Sequence, residues 1–209
     1  DNAGNVVERE EKVAIDITPP VIEVSYDNND VRHARYFNRN RTATVTVIER
    51  NFNPKDVILK LTSSNGVLPA LSDWKKKEGT GNGDDTRWVA TIPFTEDGDY
   101  TLDVAYTDLA GNAARGVTFE KGSEAPSSFT IDKTRPVLTV SYDNNEVKNQ
   151  NYYKDNRIAS IRLDEHNFSE ELVAPVIEAE TGNRPSLSAW SRSGDTNLAT
   201  VPYVGDGTY

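Results

Sequence analysis

The chain has 209 residues, a net charge of -10, 36% hydrophobic residues and neither cysteine nor methionine. That length holds one or two domains with sizeable cores, and the acidity argues against a nucleic-acid backbone or an anionic membrane as partner. Disulfides, thiolate metal sites and cysteine nucleophiles are excluded, and no apolar run approaches the ~20 residues of a membrane-spanning helix.

Apolar residues alternating with polar ones mark short strands along the whole chain. Val13 to Ile15 is the first candidate, after the loop Asp1-Asn2-Ala3-Gly4-Asn5. In the segment Asp16-Ile17-Thr18-Pro19-Pro20 proline fixes φ and gives a stiff, extended joint. Four alternating runs follow: Ile22, Val24 and Tyr26; Ala43, Val45 and Val47; Val57, Leu59 and Leu61; and Ala90, Ile92 and Phe94. The turn signal Asp97-Gly98 then stands directly before Tyr100, Leu102, Val104 and Tyr106. Phe129 to Ile131 is the last strand before a second proline-containing joint. No segment carries the i, i+3, i+4 stripe of an amphipathic helix, so the expected fold is all-β.

Much of this pattern is written twice. Asp16-Ile17-Thr18-Pro19-Pro20-Val21-Ile22-Glu23-Val24-Ser25-Tyr26-Asp27-Asn28-Asn29 returns from Asp132 to Asn145, an offset of 116 (132 minus 16). Tyr36, Arg41, Glu49, Asn51-Phe52 and Trp74 meet Tyr152, Arg157, Glu165, Asn167-Phe168 and Trp190 at the same offset. Tyr100 meets Tyr209 at 109, so the second copy lacks seven residues (116 minus 109). The loop from Lys75 to Arg87, rich in Gly, Asp and Lys, is where that loss is expected. Asp1 to Asn5 matches Asp108-Leu109-Ala110-Gly111-Asn112, which places the end of a still earlier copy at the start of the chain.

A tyrosine opening a strand just after a turn resembles the tyrosine corner of Greek-key sandwiches, whose phenol bonds back to upstream backbone. On that reading Tyr100 opens strand F of an immunoglobulin-like domain and Phe129 to Ile131 is strand G. Asp108 to Asn112, Phe129-Thr130-Ile131-Asp132 and Thr134-Arg135-Pro136 together resemble the junction of tandem bacterial immunoglobulin-like repeats. The resemblance implies tandem Greek-key β-sandwiches. Residues 1–16 would be the C-terminal tail, strand G, of a preceding repeat. Residues 17–132 would be a complete domain, and residues 133–209 a domain truncated before strands F and G and poorly folded on its own. The missing initiator methionine implies an internal segment, with any export signal or wall anchor elsewhere.

Such repeats form stalks of secreted or wall-attached surface proteins and adhesins. The resemblance therefore implies an extracellular structural or adhesive spacer whose partners are neighbouring repeats and a host or cell-surface glycan or protein. It implies no membrane insertion. The alternative reading is a carbohydrate-binding accessory module of a secreted polysaccharide-degrading enzyme, with Tyr36-Phe37, Tyr152-Tyr153, Trp74 and Trp190 as the aromatics of a sugar platform. No nucleophile elbow, zinc signature or phosphate loop is present, and His33 and His166 do not correspond between the copies, so no catalytic residue or cofactor is expected. Calcium, which wants six to eight oxygen ligands, has candidate ligands at the joints in Asp16, Asp108, Asn112 and Asp132. Asx turns explain the same residues without an ion. The run Glu49-Arg50-Asn51-Phe52 is singled out without a role, Glu49 being read as a polar residue paired with Arg41 or Arg50.

Overall fold

The structure is a computed structural model that describes residues 2–119 and 127–209. Two compact units, Asp1–Thr134 and Arg135–Tyr209, make up the chain, and each is described by itself.

The first unit contains Val21–Tyr26 (β1), Tyr36–Phe37 (β2), Arg41–Ile48 (β3), Val57–Ser63 (β4), Lys75–Lys76 (β5), Arg87–Phe94 (β6), Gly98–Tyr106 (β7), Val117–Phe119 (β8) and Ser127–Ile131 (β9). One sheet has the order β5-β6-β3-β1-β8 and the other β2-β9-β7-β4. Apart from the short strands β2 and β8, the chain crosses between them at β3 to β4, at β4 to β5 and again at β6 to β7, which gives the Greek-key sandwich of immunoglobulin type. Period-2 alternation decides which side chains meet between the sheets. Ile22, Val24, Ala43, Val45, Val47, Ile92 and Phe94 come from one sheet and Leu102, Val104, Phe129 and Ile131 from the other, all of them buried.

Two strand switches exchange short segments between the sheets. β1 pairs with β3, whereas β2 has moved to the second sheet and pairs in parallel with β9. β8 likewise pairs in parallel with β1, whereas β9 pairs antiparallel with β7. The longer β1 and β9 are thereby paired on both sides, and only the short β8 and β2 stand at the sheet ends on that side.

Tyr100 is the expected corner. It is 2% exposed, and its phenol donates to the Glu96 carbonyl oxygen at 2.9 Å. At the chain end the Tyr209 phenol reaches Gly205 O, again four residues upstream, at 3.3 Å.

Arg41 is a buried guanidinium at the start of β3. It lies over the rings of Tyr26 and Phe37, 3.6 and 4.2 Å from their centroids, and donates to Asn28 O and Asn29 Oδ1. The Tyr-Asp-Asn-Asn run is thus a socket that pairs a desolvated cation with ring faces and carbonyls.

The second unit contains Val137–Tyr142 (β10), Val147–Asn149 (β11), Tyr152–Tyr153 (β12), Arg157–Asp164 (β13), Ser191–Ser193 (β14) and Thr196–Tyr203 (β15). Its sheet has the order β10-β13-β15-β14, and β11 and β12 form a separate two-stranded ladder. Registers repeat those of the first unit. Val21 opposes Ile48 and Val137 opposes Asp164, at the offset of 116; Arg41 opposes Phe94 and Arg157 opposes Tyr203, the second partner now shifted by 109. Arg157 sits over Tyr142 and Tyr153 and donates to Asn144 O and Asn145 Oδ1. Even the left-handed turn residue before β2, Ala34 (φ 48°), has its counterpart in Gln150 (φ 51°).

The seven-residue loss lies between β14 and β15. There Ser193 pairs directly with Thr196, and the two turn residues are Gly194 and Asp195. Gly194 takes the positive φ, 61°, that a two-residue hairpin asks for.

One expected strand is not formed. Residues 13–15 have no partner strand among the described residues, and Val13 and Ile15 are 81% and 79% exposed. Alternation alone does not make a strand; its ladder needs a neighbour.

The second unit leaves its apolar face open at β10, whereas Ala159, Ala199 and Val201 of β13 and β15 on the same face are buried. Leu138 is 62% exposed where Ile22 is 1%, and Val140 is 48% exposed where Val24 is 1%. In the first unit the sheet containing β7 and β9 covers this face, and the described residues of the second unit hold no such sheet.

Candidate functional site

Three carboxylates gather at the pole of the first unit where β3 and β7 end. Asp16, Glu49 and Asp108 bring one oxygen each within 4.8 Å of the others. Asp108 follows the last residues of β7 and organises the Asp108-to-Asn112 loop. Its Oδ1 accepts from Ala110 N–H at 2.9 Å and Asn112 N–H at 2.8 Å, and its Oδ2 accepts from Asn112 Nδ2 at 2.9 Å. Gly111 adopts φ 90° and donates its N–H to Asp108 O. The Ala-Gly-Asn signature is therefore a turn closed by aspartate. Burial opposes the Asp108 charge, but the bonds from Asn112, Ala110 and Gly111 outweigh it and hold its pKa below the ordinary carboxylate value.

Glu49 is 4% exposed. Its N–H donates to Thr86 O, its O accepts from Trp88 Nε1 at 3.1 Å, and its Oε1 accepts from Asn51 N–H at 2.7 Å. Burial raises its pKa; the Asn51 N–H bond opposes this, and the charges of Asp16, Asp108 and Asp84 reinforce it. Phe52 closes the pole from inside, its ring 4.9 Å from Trp74, 5.3 Å from Trp88 and 5.3 Å from Tyr106.

Asp16 is held at three points. Its Oδ2 accepts from Asn51 Nδ2 at 3.1 Å, Arg50 lies 3.7 Å from the same oxygen, and its backbone O accepts from Asn112 Nδ2 at 3.1 Å. Arg50 also reaches Asp84 at 3.6 Å.

Of the four expected ligands, Asp16, Asp108 and Asn112 thus meet, whereas Asp132 lies elsewhere. Ile131 pairs with Gly98 at the start of the nine-residue β7 and Asp108 lies just past its end, so the two poles are separated by about 25 Å. Asp132 there donates its N–H to Phe37 O and accepts from Thr134 N–H. Asp27 and Asp143, just after β1 and β10, are engaged by backbone of the next long strand: Asp27 Oδ1 accepts from Thr42 N–H and Asp143 Oδ1 from Ile158 N–H.

Glu49 is the cluster member that the sequence reading left out of the joint. The expected pairing of Glu49 with Arg41 is not made, because Arg41 opens β3 and Glu49 follows its end. In the first unit the recurring aromatics are turned inward: Phe37 is buried, Tyr36 half-buried, and Trp74 packs on Phe52; in the second Trp190 packs on Phe168 and Tyr153 is half-buried, but Tyr152 is 72% exposed.

Carboxylates this close repel unless a proton or cation sits among them. Because the folded-state pKa of Glu49 is raised, its proton is bound more tightly folded than unfolded. Its contribution is fully present below the ordinary value of 4.5 and is lost as pH rises through the folded value. Glu49→Gln keeps the acceptor for Asn51 and removes the charge. We expect a melting temperature at pH 7 equal to or above wild type and a flatter stability profile above pH 4.5. A variant that loses as much stability at pH 7 as at pH 4.5 would show that the charge is not the burden.

No protein-family model matches the chain, and no curated protein matches it. Among solved structures it is similar to FdeC, described as a novel broadly conserved Escherichia coli adhesin eliciting protection against urinary tract infections. Identity is 14%, the match covers 92% of this chain and 57% of that one, and the TM-score is 0.35. The chain thus spans little more than half of that neighbour's length, and a superposition this loose carries nothing about function.

Proposed function

We propose that this chain is a structural and adhesive immunoglobulin-like repeat of a bacterial extracellular surface protein, acting as a stalk or spacer. The observation that carries the reading is that strands and registers recur at the offsets of the sequence repeat. A module written head to tail makes a quasi-one-dimensional array.

Load geometry supports a mechanical role. β1 and β8 are parallel, as are β2 and β9, so force applied at Asp16 and Asp132 pulls the first and last strands in opposite directions. Their ladder bonds are then strained together in shear, not opened one at a time. Under this reading the partners are neighbouring repeats, no reaction is catalysed, and a distal surface is held away from the cell.

Calcium belongs to this reading as a test at the Asp16–Glu49–Asp108 cluster. Millimolar calcium should raise the melting temperature of the wild-type chain over chelator and leave Glu49→Gln unmoved. No shift in wild type removes the ion.

Location is tested on intact cells that make the parent protein. Antibody raised against residues 17–132 should label them, and brief external protease should abolish the signal. Labelling only after lysis would overturn the surface assignment.

A further inference from the structure

Glu49-Arg50-Asn51-Phe52 stood out in the sequence, and a stalk role alone does not use it. Its four residues share one task in the structure. Phe52 anchors the run between Trp74, Trp88 and Tyr106, and Asn53 N–H donates to the Tyr106 phenol oxygen at 3.0 Å. Glu49 Oε1 fixes the Asn51 N–H. The Asn51 side chain so aimed donates to Asp16 Oδ2, and Arg50 flanks the same oxygen. From the opposite loop Asn112 donates to the Asp16 backbone O.

Along the incoming segment the change is sharp. Residues 2–15 are all exposed. At Asp16 the side chain falls to 7% exposure, Oδ1 takes the Thr18 N–H at 3.1 Å, and Pro20 is buried.

We infer that residues 49–52, with the Asp108-to-Asn112 loop, form a docking site whose ligand is the aspartate of an incoming Asp-x-Thr-x-Pro segment. The bonds to Asp16 run to a carboxylate, the class of acceptor that a charged and an amide donor together recognise most strongly. Docking fixes where the segment leaves the sandwich; proline then stiffens only the last steps into β1. The residue types recur in the sequence at the 116-residue offset as Asp132, Glu165, Asn167 and Phe168, with His166 in place of Arg50. The inference holds wherever the parent protein resides.

The test uses the 15N-labelled 209-residue chain. Asn51→Leu removes the donor at nearly constant size. Amide exchange at Thr18 should accelerate about tenfold to a hundredfold, the effect of losing a hydrogen bond to a charged group, and the heteronuclear NOE of Ile15 to Thr18 should fall. Exchange in β3 and β6 should stay as in wild type. Asp16→Ala, which leaves the body untouched, should lower the NOE at the same residues. The exchange of partners Asp16→Asn with Asn51→Asp keeps the number of carboxylates and restores an amide-to-carboxylate bond, so Thr18 protection should return. Unchanged Thr18 exchange in Asn51→Leu, or no recovery in the swapped pair, would reduce the contact to a local Asx turn and overturn the docking site.

Discussion

Phe129→Ala will cost the first unit about 3–5 kcal/mol, the range for truncating a fully buried aromatic. Phe129 is 1% exposed. It sits edge-on to Tyr26, Phe37 and Phe94, with centroids at 5.6, 6.1 and 4.9 Å, and tilted against Tyr100 at 5.7 Å. The Arg41 guanidinium lies 4.6 Å above its ring. Removing it leaves a cavity that rigid neighbours on both sheets cannot fill, and it strips one ring from a buried cation. A loss of that size is a large part of the stability of an ordinary domain. Denaturant titration followed by hydrogen exchange in β3 and β7 measures it, and a loss below about 1 kcal/mol would mean that the two sheets do not close on this residue.

The second large effect is a contrast between two positions with one register. Ile22→Ala should cost about 2–5 kcal/mol. Leu138→Ala, its counterpart at the offset of 116, should cost about 1 kcal/mol or less, because a side chain already 62% exposed buries little on folding. The cause is the sheet facing β1, which β10 lacks among the described residues. For the same reason amides of β10 should exchange faster than those of β1, although each pairs over six residues with its neighbour. Protection depends on the apolar layer above a ladder as well as on its hydrogen bonds. Equal protection, or equal costs for the two alanine variants, would show that the open face is covered in solution.

Much of this was legible in the sequence, since it rests on period-2 alternation and turn chemistry, both local. Tyr100 behind Asp97-Gly98, the inward faces of β1, β3 and β6, and the shortened loop before β15 all belong to that class. What was not legible depends on pairing and on poles. Val13 to Ile15 has the pattern of a strand, but a pattern cannot supply its own neighbour. The two strand switches occupy two or three residues each, too few for any periodicity to register. Asp16 and Asp132 look alike because each opens a proline joint, yet β7 separates the poles at which they sit. Glu49 and Arg41 look like an ion pair on paper; they bracket the eight-residue β3 and cannot touch. The carboxylate cluster required knowing that the end of β3 and the loop after β7 share one pole, which follows from the register of the folded sheets alone.

The mechanical reading is tested most directly by pulling the 209-residue chain between its ends in a single-molecule force experiment. The second unit, whose β10 lies open on its apolar side, should yield first at low force. The first unit should then hold until a single step releases about 400 Å of contour, the length of residues 17–132 at ~3.5 Å each. A smooth extension without that step, or release of residues 17–132 in several small steps at low force, would contradict the spacer role.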